Sequence, residues 1–367
     1  MKNKNLAVLA LTGVLLGVSG NASAVQYTLT ILDTLGGTFS YAKGINNSGQ
    51  VVGSSGTVGN AATRATIWNN GVVSDLGTLG GTDSEAYGIN NSGQVAGSAA
   101  STTALRATIW NNGVASHLDT MEGAQSRAFA INDLGQVVGI TRYSADNYME
   151  HATIWSGGVA TIFDSSISRS LAYGINDSGQ VAGSAYSSAT QWSGTTRTQL
   201  GGSNSSAYGI NEVGQIAGAQ TYAGYYSGVS YTPNSERAAI WSDTTMTDLG
   251  TLAGGRNSGA RAINELAQAV GYSDGNFNNR HATIWNGTVA TDLNTVLFSI
   301  GSGWVLTEAT GINDLGQIIG DATNSTTGAT QGFLLTPINP VPIPATALLM
   351  LSGIGVMGAA ARRRKAK

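Results

Sequence analysis

Glu85-Ala86-Tyr87-Gly88-Ile89-Asn90-Asn91-Ser92-Gly93-Gln94-Val95-Ala96-Gly97 decides how this chain folds, because its phrase is written seven times. The isoleucine recurs at Ile45, Ile89, Ile131, Ile175, Ile210, Ile263 and Ile312, at intervals of 44, 42, 44, 35, 53 and 49 residues. Four positions around it never vary: the alanine three residues before (Ala42, Ala86, Ala128, Ala172, Ala207, Ala260, Ala309), the asparagine after, the glutamine, and the closing glycine. A period of 20 to 50 residues marks an array in which one supersecondary unit is stacked on copies of itself. Such uniformity means one structural job done seven times, not seven active sites.

Each unit carries a second phrase, Arg/His-Ala-Thr-Ile-Trp, clear at 64–68, 106–110, 151–155, 237–241 and 281–285, shortened at 189–192 and altered to Gly-Phe-Leu-Leu at 332–335. An Asn-Gly, Ser-Gly or Gly-Gly dipeptide follows, then an apolar stretch into Asp-Leu-Gly. Short β-rich runs joined by such dipeptides read as hairpins. Ala-Thr-Ile-Trp therefore pairs with the run after it, and Glu-Ala-Tyr-Gly-Ile-Asn pairs with Gln-Val-Ala-Gly. Four short strands per repeat and seven repeats predict an all-β, seven-bladed β-propeller over residues 25–338. The ends support closure: residues 27–35 read as a strand lacking its Ile-Trp partner, and residues 333–335 as an Ile-Trp strand lacking its follower. Each would hide the other's open edge. An open β-solenoid is the alternative. Six of the seven tryptophans, Trp68, Trp110, Trp155, Trp192, Trp241 and Trp285, recur once per unit and read as core.

Composition narrows the chemistry. The 367 residues contain 51 glycines and no cysteine, and 11% are charged. Absence of cysteine excludes disulfide scaffolds, thiolate zinc sites and cysteine nucleophiles. Seven of the 18 basic residues lie in the two ends, 1–24 and 341–367, whereas all 21 acids lie between them, so the body carries a net charge near −10. That excludes nucleic acid as a partner, because its phosphates need a basic surface.

The ends read as addresses. Lys2 and Lys4, an apolar run over 6–18 and Asn21-Ala22-Ser23-Ala24 make a signal peptide over residues 1–24, with Ala22 and Ala24 marking the cleavage site. Near the other end, Pro342-Ile343-Pro344 introduces seventeen apolar or small residues at 345–361, then Arg362-Arg363-Arg364-Lys365. As a helix the apolar run would rise about 25 Å, close to the hydrocarbon thickness, with the basic cluster on the cytoplasmic side. Residues 341–367 resemble the PEP-CTERM sorting signal of Gram-negative bacteria, although Ile343 stands where that signal has glutamate. The resemblance implies export through the inner membrane, a C-terminal transmembrane helix before processing, and an exosortase-type protease as partner. A permanent tail anchor is the alternative. The paired phrases, together with Leu-Gly-Thr-Leu-Gly-Gly at 76–81, resemble the extracellular HAF repeat, with Thr153 in His151-Ala152-Thr153 where that repeat has phenylalanine. This implies a cell-surface or extracellular protein and no particular activity.

No catalytic set stands out. Gly271-Tyr272-Ser273-Asp274-Gly275 spells a nucleophile elbow but lies on a strand without a following helix. Gly353-Ile354-Gly355-Val356-Met357-Gly358 spells a dinucleotide loop but falls in the apolar tail. His117, His151 and His281 are far apart, and two of them alternate with Arg64, Arg106 and Arg237, which suits a surface donor or a partner for an aspartate more than a metal ligand. Asn132-Asp133, Asn176-Asp177 and Asn313-Asp314 offer oxygens to calcium, yet tight-turn hydrogen bonding explains them equally. No cofactor is required, and calcium is the one alternative. The irregular insert at 222–231, with Tyr222, Tyr225, Tyr226 and Tyr231, is the candidate ligand site, since it places aromatic rings on a loop. Two functions are expected: a non-enzymatic binding or scaffold module for extracellular polysaccharide, or a polysaccharide-degrading propeller using scattered acids such as Glu85, Glu122 and Glu150.

Overall fold

A computed structural model describes residues 25–338, apart from 119–124, 143–148, 164, 168, 228–229, 233, 276–278 and 300–302. The signal peptide, the sorting tail and Glu122 lie outside the described residues.

Alternating burial along short runs, punctuated by Asn-Gly turns, makes every repeat a four-stranded antiparallel meander, and seven of these sheets form the propeller. In blade 1 the strands are Gly36–Ile45, Val51–Thr57, Thr63–Asn69 and Val72–Asp75. The first of them is the inner strand, and its equivalents are Gly80–Ile89, Gln125–Ile131, Ser170–Ile175, Ser205–Ile210, Ser258–Ile263 and Trp304–Ile312. The hairpins are those expected: Trp68 lies opposite Val73, and Ile89 opposite Val95. No α-helix occurs among the described residues.

Closure is the one the chain ends foretold. Blade 7 takes its inner three strands from Trp304–Ile312, Ile318–Asn324 and Thr330–Pro337, and its outer strand from Tyr27–Ile31. The register sets Tyr27 opposite Pro337 and Ile31 opposite Phe333. The N-terminal strand is shorter than residues 27–35. After Ile31 the backbone turns away, with the Leu32 N–H donating to Gly332 O at 2.8 Å and Asp33 O accepting the Trp68 indole N–H at 2.8 Å, so these residues seal the seam to blade 1.

The antiparallel order fixes two faces. Inner strands enter from the face bearing the connections between blades, the connection face, and leave at the Asn-x-x-Gly-Gln turns on the opposite turn face. Tyr27 and Pro337 both lie at the turn face.

The core is divided among the seams. Apolar clusters fill all seven, as where Trp110 of blade 2 packs with Val52 and Ala65 of blade 1. The six repeat tryptophans are at most 3% exposed, so they are core and not a stacking platform. The unvarying closing glycine has a steric cause: a Cβ on Gly53 would sit 1.9 Å from the Tyr41 carbonyl oxygen, and the other six copies are equally closed. The alanines facing it are fully buried. A polar contact also spans the seams. Ser84 Oγ accepts the Ala65 N–H of the previous blade at 2.9 Å, and Ser126, Ser170, Ser205 and Ser258 do likewise.

Candidate functional site

Every inner strand carries a register shift between its unvarying alanine and the residue before the isoleucine: Ala42/Gly44, Ala86/Gly88, Ala128/Ala130, Ala172/Gly174, Ala207/Gly209, Ala260/Ala262 and Ala309/Gly311. The skipped residue in each is Lys43, Tyr87, Phe129, Tyr173, Tyr208, Arg261 or Thr310. A β-bulge leaves one residue unpaired and re-aims its side chain. Here the seven bulge residues form a ring lining a cavity of about 290 Å3 at the connection-face end of the axial channel.

Four neighbours in this ring are aromatic. Tyr87 and Phe129 meet edge-on with centroids 5.5 Å apart, Phe129 and Tyr173 are 5.7 Å apart, and Tyr173 and Tyr208 are 5.2 Å apart. The Arg261 guanidinium lies 4.6 Å over the Tyr208 ring and extends the arc. Burial pushes the Tyr173 phenol up to about 12, with Tyr208 adding to it, so it stays neutral. Burial likewise raises Tyr87, whose hydroxyl donates to Glu85.

The charged groups around this mouth are paired. Arg261 Nε donates to Glu308 Oε1 at 2.6 Å, and Arg280 Nη2 reaches the same oxygen at 2.7 Å. Arg280 also lies 3.5 Å over the Tyr272 ring, whose hydroxyl donates to Glu236. Lys43 Nζ stands 3.5 Å from Asp321 Oδ2. Burial raises the Asp321 carboxyl, with Lys43 acting in the opposite direction. Burial also opposes the charge on Arg261, but Glu308 outweighs it and holds the guanidinium protonated.

Below the bulge ring the seven isoleucines line both this cavity and a second one at the turn face, forming an apolar neck between them. The turn-face cavity is ringed by two hydrogen-bond circuits. In the first, each unvarying asparagine donates Nδ2 to the backbone oxygen of its counterpart in the next blade: Asn46 to Asn90 at 3.1 Å, Asn90 to Asn132 at 3.0 Å, and so on until Asn313 returns to Asn46 at 3.0 Å. In the second, the N–H of the following residue donates to the side chain of its neighbour. It runs from Asn47 through Asn91, Asp133, Asp177, Glu212, Glu265 and Asp314, with distances of 2.7 to 3.1 Å.

This second circuit accounts for the rim's composition. The position needs an acceptor, and all seven residues supply one. Burial, together with neighbouring carboxylates, raises both Glu212 and Glu265. Among the described residues no group of three or more His, Asp or Glu side chains is arranged to hold a metal ion. Asp133, Asp177 and Asp314, whose turns could offer oxygens to calcium, each accept a neighbouring backbone N–H.

The other singled-out residues are dispersed. Tyr222 is exposed at the connection-face end of Ile216–Tyr222, and Tyr225–Ser227 pairs with Ser230–Thr232 in a small hairpin that sets Tyr226 opposite Tyr231. This hairpin joins the second and third strands of blade 5, one strand out from the channel. Glu150 is bound by Arg142 and by Arg169 at 2.8 Å. Ser273 is fully buried and its hydroxyl accepts the Leu252 N–H at 2.9 Å, a structural position in a strand. His281 contacts Asp292 at 2.6 Å, the expected aspartate partner, whereas His151 is 4% exposed and not the surface donor that the Arg/His alternation suggests.

The bulge ring was not singled out from the sequence. Its signal is the single freely varying residue between the unvarying alanine and the isoleucine, read down the seven copies as Lys, Tyr, Phe, Tyr, Tyr, Arg, Thr.

No protein-family model and no curated protein matches the chain. Solved propellers do. A puromycin-hydrolyzing peptidase from Mycobacterium tuberculosis matches with TM-score 0.50 and 9% identity over 88% of this chain and 57% of its own. The β-propeller domain of the Trilobed protease from Pyrococcus furiosus matches with TM-score 0.49 and 12% identity over 81% of this chain and 93% of its own. The extracellular domain of a hybrid two-component system from B. thetaiotaomicron matches with TM-score 0.49 and 10% identity over 86% and 40%. At such identities the likeness is one of fold alone.

Proposed function

We propose that this chain is an exported, envelope- or matrix-associated binding module, and that its propeller takes a sugar of extracellular polysaccharide into the connection-face mouth. The observation that carries the reading is the Tyr87–Phe129–Tyr173–Tyr208 arc: four adjoining rings, each half-buried, aimed into one cavity by the same bulge in four successive blades. Aromatic faces stack on the C–H faces of pyranose rings, and hydroxyls find partners in the charged groups alongside. Export rests on the signal peptide, the PEP-CTERM-like tail with its exosortase-type partner, and the HAF-like repeats.

Binding without turnover is favoured over hydrolysis by the state of the carboxylates. Glu308 holds two guanidiniums and Glu85 takes the Tyr87 hydroxyl, so neither is a free acid–base group of the kind a glycosidase pair requires. The test is retention of the purified protein on the secreted polysaccharide of the producing cells, with and without chelator, while reducing sugar is assayed. Saturable retention that weakens about fivefold in Tyr173→Ala, for a loss of about 1 kcal/mol, is expected. Retention unaffected by Tyr173→Ala and Phe129→Ala would remove the mouth as the site. Release of sugar would replace the binder with an enzyme.

A further inference from the structure

The bulge ring has two unlike halves. Blades 2 to 5 present the aromatic arc, and blades 6, 7 and 1 present Arg261, Thr310 and Lys43 across the cavity from it. A ligand filling this mouth therefore meets an aromatic wall on one side and hydrogen-bonding, cationic groups on the other.

The cations of this half outnumber the carboxylates that bind them directly. Arg261 and Arg280 share a single oxygen of Glu308, so two guanidiniums stand against one carboxylate. Lys43 is separated from Asp321 by 3.5 Å, at the long end of an ion pair. Thr310 Oγ1 donates to Ala42 O at 2.7 Å, which spends its proton and fixes the hydroxyl between the two cations. The acidity of the body as a whole does not oppose an anion here, because charges more than about 8 Å away are screened at physiological salt.

Depth sets a further limit. The isoleucine neck narrows the channel below the cavity, and about 290 Å3 lies at the small end of ligand pockets, so the site suits a single sugar residue. Resting on the carbohydrate reading above, we infer that the mouth takes the terminal residue of a glycan bearing a uronic acid, with the sugar face on the aromatic arc, a sugar hydroxyl donating to Thr310 Oγ1 and the carboxylate toward Lys43 and Arg261.

The experiment is calorimetric titration of the full chain with oligosaccharides of galacturonic, glucuronic and mannuronic acid, each beside its carboxyl-reduced counterpart. At least one acid form should bind tenfold or more tighter than its reduced form. Lys43→Gln, at a position that other blades fill with Tyr, Phe, Arg or Thr, should cut that preference at least threefold in protein whose melting curve shows it folded, whereas Tyr173→Ala should weaken both forms alike. On polymer of the same sugar, capacity per unit mass should rise in proportion to chain ends as the polymer is shortened. Equal affinity for acid and reduced forms, or a preference untouched by Lys43→Gln, overturns the uronate inference and leaves the sugar-binding function standing. Capacity independent of chain length overturns terminal recognition. Failure of every acid and reduced form to bind, in protein that also ignores the secreted polysaccharide, overturns the binding function itself.

Discussion

Replacing Asn132 by alanine tests whether the asparagine circuit holds the propeller closed. Asn132 is 5% exposed; its Oδ1 accepts the Gln136 N–H at 2.8 Å, and its Nδ2 donates to Gln136 Oε1 at 2.9 Å and to Asn176 O at 3.0 Å. Asn132→Ala strips three polar groups of their partner, one of them on the next blade. An unsatisfied buried group costs about 1 to 3 kcal/mol, and partial access from the channel puts each near the lower figure, so a loss of about 3 kcal/mol is expected. That is a large part of the 5 to 15 kcal/mol typical of a folded domain. Asn91→Ala is the control. Asn91 makes the analogous bonds of the outer circuit, accepting from Asn47 N at 2.9 Å and donating to Asp133 at 2.8 Å, but it is exposed, so water replaces them and the loss should stay below about 1 kcal/mol. Urea unfolding at constant m value reads both differences from the midpoint shift. If Asn132→Ala lies within about 0.5 kcal/mol of the parent, or costs no more than Asn91→Ala, the circuit is ornamental and the invariance of this asparagine needs another cause.

Three further outcomes follow from the same geometry. The turn position filled by glycine in six repeats is Ala267 in blade 6, held at φ 57°; Ala267→Gly should stabilise the protein by about 0.5 to 1 kcal/mol in the same urea assay, and a loss would show that the alanine methyl packs usefully. Glu212 and Glu265 have folded pKa values above their unfolded ones, so their ionised forms weaken the fold at neutral pH, and this penalty fades as pH falls through the folded values. Melting temperature should therefore rise between pH 7 and about 5, and the rise should shrink in Glu212→Gln, whose Oε1 still accepts the Asp177 N–H; an identical profile in the variant would refute the assignment. Deleting residues 25–31 uncovers the Thr330–Pro337 edge, and light scattering should show concentration-dependent association; a monomer of unchanged melting temperature would mean the N-terminal strand is dispensable.

Much of the architecture could be read from residues alone, because repetition supplies seven observations of each position. Alternation and Asn-Gly turns gave the hairpins, and the mismatched ends gave the closure. The bulge escaped notice because nothing in Ala-Lys-Gly-Ile distinguishes a continuous strand from one that skips Lys43. Only the pairing of Ala42 with Gly53 and of Gly44 with Val52 does so. The tyrosine insert drew attention as a break in the period, whereas the channel side chains vary within a perfectly kept period. The unvarying asparagine looked like local turn chemistry, which it performs, as Asn46 Oδ1 accepts from Gln50 N at 3.0 Å. Its second duty depends on a neighbour 44 residues away in the chain, a distance no local rule spans.

The pairing of Tyr27 with Pro337 bears on how the protein carries load. The chain enters and leaves the ring at adjacent points, so force applied to both ends would peel Tyr27–Ile31 from Thr330–Pro337 one hydrogen bond at a time instead of shearing the pair together. A clasp loaded that way is mechanically weak. Attachment through a single end never stresses it, and either end, leaving from the turn face, would hold the aromatic mouth pointing away from the tether.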